Sequence, residues 1–182
     1  MEHCGKESAN KHAPLLLQGV LEGVDDSKNH GDVELKQACV YGIAQITRQA
    51  PHVLATHAKG VLGCLANIVQ VGAANEDEVS LVENAVSALA SMVVFKKAPF
   101  AKALGDAELA GVKEFVLNNF PLREDETEAH LCHENLADMV EIGEYCVVGD
   151  EERVVRTMKI MTGVLMAVEE GDSLAAPSTC AR

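Results

Sequence analysis

LADMV, residues 136–140, closes a pattern written twice upstream, as IAQIT at 43–47 and LASMV at 89–93. The three segments superpose at offsets of 46 and 47 residues. The register extends backwards: Cys39, Ala85 and Cys132 correspond, as do Gly42, Ala88 and Asn135. A second set interleaves with the first. KHAPLLLQGVLEGV from Lys11 aligns with THAKGVLGCLANIV from Thr56 at an offset of 45. Two amphipathic helix types therefore alternate, with a period in the ~40–47 range of HEAT and armadillo repeats. Small residues at Gly42, Ala88, Gly60 and Gly63 suit close approach of neighbouring helices.

Working outward, apolar residues recur with the 3.6-residue period of a helix along the whole chain, and no segment alternates as a strand does. The stripes run through Leu16–Val24, Leu35–Ile46, Val61–Val69, Leu81–Val93, Leu109–Val116, Cys132–Val140 and Val154–Val168. Short breaks separate them: DDSKNHGD, AP at 50–51, AANEDE, KKAP, FPLRED and VVGD. The expectation is an all-α, right-handed superhelix, a HEAT-repeat solenoid of about seven helices. It occupies 11–170 as three A/B pairs and one further A helix. Residues 1–10 are expected to be the remnant of a preceding helix and 171–182 a disordered tail. The terminal helices are as apolar as the middle ones, which points to a piece of a longer solenoid.

Composition narrows the function. The 182 residues carry 28 acids against 15 Lys and Arg, a formal charge of −13. Nucleic acid and anionic membranes both demand clustered positive charge, so neither is expected as a main partner; basic protein segments are. No apolar run reaches the ~18–20 residues of a membrane span. The first residues, MEHCGKESANKH, contain no apolar core of a signal peptide. The six cysteines, at 4, 39, 64, 132, 146 and 180, form no C-x-x-C and no disulfide framework. This usage suits a reducing compartment.

The densest cluster of reactive side chains is FPLREDETEAHLCHENLADMVE, 120–141. A helical zinc-protease site needs H-E-x-x-H, but His133-Glu134 is followed by Ala137. A di-iron bundle needs Glu-x-x-His, and neither His130 nor His133 has Glu three positions before it. A zinc set of His130, Cys132, His133 and Cys146 conflicts with the repeat, which places Cys132 on the buried stripe. No catalytic residue, cofactor or metal is expected, and the chain is read as a non-enzyme. Most of the acid is explained by helix starts. Asp125 with Glu128, and Asn75 with Glu78, have N-cap spacing, and Asp32, Asp106 and Asp150 also stand where helices begin.

ELKQACVYGIAQI from Glu34 resembles the B helix of a late HEAT repeat in the importin-β superfamily of nuclear transport receptors. FPLREDETEAH resembles a Leu-Pro-Leu, acidic, Glu-Ala junction near the C-terminus of the karyopherin-β3 branch. The similarity runs in order along roughly residues 2–170. It implies a C-terminal portion of a long, soluble carrier that shuttles between cytoplasm and nucleus. Such carriers bind basic protein cargo, FG nucleoporins and, in the full-length receptor, Ran-GTP. The resemblance further implies that B helices line a concave surface facing cargo. By the repeat register, their outward columns are Gln37, Tyr41, Gln45 and Arg48, then Glu83, Ser87, Ser91 and Val94, then His130, Glu134, Asp138 and Glu141. The expected partner-binding residues are Gln37, Tyr41, Gln45, Glu83, Ser87, Glu134, Asp138 and Glu141. The alternative is a free-standing HEAT-like adaptor using the same columns for an unrelated partner.

Overall fold

A computed structural model describes residues 6–25, 31–95, 97–144 and 148–181. Among the described residues there are ten α-helices and no strand. They are α1 (Lys6–Gly23), α2 (Val33–Gln49), α3 (Pro51–Ala55), α4 (Ala58–Gly72), α5 (Val79–Ala90), α6 (Lys97–Leu104), α7 (Asp106–Asn118), α8 (Glu126–Glu141), α9 (Glu151–Glu170) and α10 (Pro177–Cys180). A 3₁₀ turn, Glu76–Glu78, leads into α5, and a π-helical turn, Ser91–Phe95, follows it. The all-α class is thus met, with ten helices in place of about seven.

The three additional helices, α3, α6 and α10, each contain a proline; α3 and α6 stand where breaks were expected and α10 where a disordered tail was. Pro51 and Pro177 stand in the opening positions of their helices, where the missing N–H has no intrahelical partner to lose. Pro99 lies in the first turn of α6 under the same rule. Residues 6–10, read as the remnant of an earlier helix, are instead the first turns of α1, which continues through Pro14.

The chain divides into two compact units, Met1–Leu109 and Ala110–Arg182. In the first, α1 packs on α2 and α4 packs on α5, giving two helical hairpins. The hairpins meet through their second helices, α2 against α5. Ile43 and Leu89, equivalent in the repeat, are both fully buried, as are Ile46 and Met92. Of the glycines expected to allow close approach, Gly42 would place a Cβ in ordinary contact with Val20, whereas Gly60 and Gly63 have no neighbour within 4 Å; the tight approach is instead at Gly23, where an added Cβ would overlap the Cys39 sulfur. That glycine lets the end of α1 press against α2.

In the second unit, the C-terminal part of α7 is tied to α9 by one carboxylate. Glu114 accepts from Arg153 Nε at 2.6 Å and from Arg156 Nη1 at 2.7 Å. Leu136, the third copy of the repeat position, is again buried. Both α8 and α9 end on a left-handed glycine. Gly143 has φ +65° and Gly171 φ +107°, and the next residue in each case donates its N–H back to the carbonyl five positions earlier. The segment after Gly171 is not the frayed tail expected. Leu174 and Ala175 are buried, and α10 follows directly.

A candidate partner-binding face and a buried histidine

The face in question begins with how α8 is started. Asp125 is extended, and its carboxylate accepts from the Glu128 N–H at 3.0 Å. Asp32 and Asp150 do the same for α2 and α9, and Asn75 caps the 3₁₀ turn while donating to Glu78. Asp106 differs: Gly105, at φ +81°, turns the chain, and Asp106 is the first residue of α7. These acids satisfy backbone donors and the positive end of the helix dipole.

With α8 so fixed, Glu134, Asp138 and Glu141 are all exposed, at positions spaced four and three residues apart on one helix edge. His130, one turn earlier, is half-buried, with Nε2 3.2 Å from the Ser173 hydroxyl. The first unit behaves differently. Gln37 and Tyr41 are half-buried and Gln45 is buried. Glu83 is 9% exposed and Ser87 fully buried. The reason is packing: α5 is enclosed by α2 and α4, and Arg48 reaches across from α2. Its Nη2 donates to Ser87 Oγ at 2.7 Å and its Nε to Ser91 Oγ at 3.2 Å. Of the columns expected to face outward from α2 and α5, Gln45, Glu83, Ser87, Ser91 and Val94 are therefore buried, and Arg48 is bonded to Ser87 and Ser91. In the third column Glu134, Asp138 and Glu141 form a solvent-facing acidic edge, with half-buried His130 at its start.

Among the described residues, no group of three or more His, Cys, Asp or Glu side chains is placed to hold a metal ion. Of the zinc set considered above, Cys146 lies outside the described residues. Cys132 is buried on the repeat stripe.

His133, weighed from the sequence only as a metal ligand, has a different place in the structure. It is 4% exposed, and both ring nitrogens are engaged. Nε2 faces the Leu122 N–H at 3.2 Å, and Nδ1 faces the Leu174 carbonyl at 2.8 Å. An amide N–H can only donate, so Nε2 is the acceptor and the proton sits on Nδ1, donating to Leu174. The Phe120 ring meets the imidazole edge-to-face, with centroids 6.0 Å apart. Burial pushes the His133 pKa down, outweighing the bond to Leu174 that would raise it; the charges of His130 and Arg123 push the same way as burial. The signal was present in the repeat: one residue past Cys39, Ala85 and Cys132 stand Val40, Val86 and His133, the first two fully buried.

Comparison of the chain with models of known protein families, with curated proteins and with solved structures found no match.

Proposed function

We propose that this chain is a non-catalytic, HEAT-type protein-binding segment of a nuclear transport receptor, which takes Lys- and Arg-rich segments of protein cargo along the Glu134, Asp138 and Glu141 edge of α8. One observation carries the binding surface: three carboxylates share an exposed edge of a helix whose opposite side is buried. The solenoid reading is supported by the stacked hairpins of the first unit and by burial of the equivalent Ile43, Leu89 and Leu136. Attachment to the edge is mainly electrostatic, through pairs that remain partly hydrated. Titration of the full chain with a fluorescent Lys/Arg-rich peptide should give saturable binding that weakens as salt rises. Absent or salt-insensitive binding would count against the reading. Immunoblotting a source-cell lysate separates carrier from stand-alone adaptor: the carrier requires a band far above 19.4 kDa.

A further inference from the structure

We propose that residues 172–181 form a displaceable strap over the apolar groove between α8 and α9, latched by His133 and released when its imidazole takes up a proton. The inference is independent of the transport reading.

The strap has a seat. Leu174 is 2% exposed and Ala175 is 7% exposed. Ala175, Thr179 and Cys180 close over a small cavity of about 50 Å³ whose other walls include Leu136 and Ala137 of α8 and Ile160 and Val164 of α9. It also has a turning point, since Gly171 reverses the chain at the end of α9 in a conformation that side-chain-bearing residues rarely adopt.

The latch is chemical. Neutral His133 satisfies Leu122 and Leu174 together, and only as the Nδ1–H tautomer. A second proton would place an Nε2–H against the Leu122 N–H, two donors with no acceptor between them, on a ring that is buried from bulk water. Among the described residues, the charges acting on the ring give the imidazolium no help. From α8 comes His130, and from the segment after Pro121 comes Arg123, both opposing further positive charge. The α9 side of the groove, Ile160, Met161, Val164 and Leu165, is uncharged, and the strap contributes Cys180. The Nδ1 bond to Leu174 favours the charged ring and is outweighed by its desolvation. A charged ring must therefore reach water, and one of its two covers must lift. The Leu122 cover runs between α7 and α8, with Phe120 and Leu122 both buried. In 172–181 only Leu174 and Ala175 are buried, and the segment leaves α9 through Gly171, so it lifts at the lower cost.

The sign follows. The latched state prefers neutral His133, so strapping is fully stabilised above the ordinary histidine range near pH 6.5. That stabilisation is lost as pH falls toward the lowered value of the latched ring.

Hydrogen exchange of the full chain, read by mass spectrometry at several pH values from 7.5 to 5 and corrected for intrinsic rates, tests this. Amides of 172–181 should lose protection by up to about tenfold per pH unit once the ring begins to titrate, while amides in the middle of α8 and α9 keep theirs. In His133→Gln, strap protection should be low and independent of pH; in His130→Gln the pH response should persist. A strap equally protected across the range would overturn the proposal. So would loss of protection in strap, α8 and α9 together, which would make His133 a core histidine and nothing more. These wild-type comparisons stand even if His133→Gln fails to fold.

Discussion

Gly23 and Cys39 show how a single absent methyl sets a helix contact. A Cβ at position 23 would overlap the Cys39 sulfur, and Cys39 is itself buried, with its thiol pKa raised by desolvation. The thiol has little room to yield, so Gly23→Ala should cost about 1–3 kcal/mol, the usual range for overpacking. Urea unfolding measures it, and Cys39→Ala provides the control: the double variant should be more stable than the sum of the single effects, because the second change removes the obstruction. Strict additivity would mean that the contact is not what disfavours alanine. His133 is the opposite case, a polar group at a position where earlier repeats carry valine. His133→Val restores the repeat residue yet should destabilise the chain, since the Leu122 N–H and Leu174 carbonyl would lose their partner. Each buried unsatisfied group costs roughly 1–3 kcal/mol. The deficit relative to wild type should be largest at pH 7.5 and shrink toward pH 5, where the native histidine itself becomes a burden. A deficit that grew on acidification would show that the charged ring is the one accommodated.

At the scale of elements, the caps set where helices start. Asp125→Ala and Asp150→Ala each remove a carboxylate that accepts an N–H three residues on, and each should cost about 0.5–2 kcal/mol, with Asn in place of Ala recovering most of that loss. The urea midpoint should fall with the slope unchanged; an Asn variant as weak as Ala would indicate that charge, not the cap bond, matters. These caps were legible because they are local: an acid, a three-residue spacing and an apolar stripe behind it. The burial of Ile43, Leu89 and Leu136 was legible for the same reason, since periodicity fixes the phase of a helix face. What periodicity cannot fix is how many neighbours surround a helix. Glu83 and Ser87 therefore looked solvent-facing, although α5 is enclosed and Arg48 bonds Ser87. Prolines mislead in one direction: Pro51 and Pro99 mark breaks between stripes, yet each also stands in the first turn of a helix. The last segment was hidden by distance. GDSLAAPSTC is polar enough to fray, and its anchor His133 lies 41 residues before Leu174.

At the scale of the molecule, the question is whether the α8 edge acts as a local site or only as a share of the overall acidity. A formal charge of −13 draws any cation at long range, whichever face it finally meets. Reversing Glu134, Asp138 and Glu141 to Lys changes that charge by +6, from −13 to −7. Reversing the exposed Glu7, Glu76 and Glu170 changes it by the same +6 and leaves the edge intact. If the edge is the site, three partly hydrated pairs at about 0.5 kcal/mol each are lost in the first variant only. That is about tenfold in Kd for a Lys/Arg-rich peptide, and the peptide should also leave faster. The second variant should lose mainly association rate, because long-range attraction governs encounter more than residence. Raising the salt shortens the reach of charge to a few ångströms, so the second variant should converge on wild type while the first stays weaker. All three proteins should keep the same helical content and thermal midpoint within a few degrees, since none of the six side chains is buried. Equal weakening by the two variants would assign the attraction to net charge and remove the α8 edge as a site.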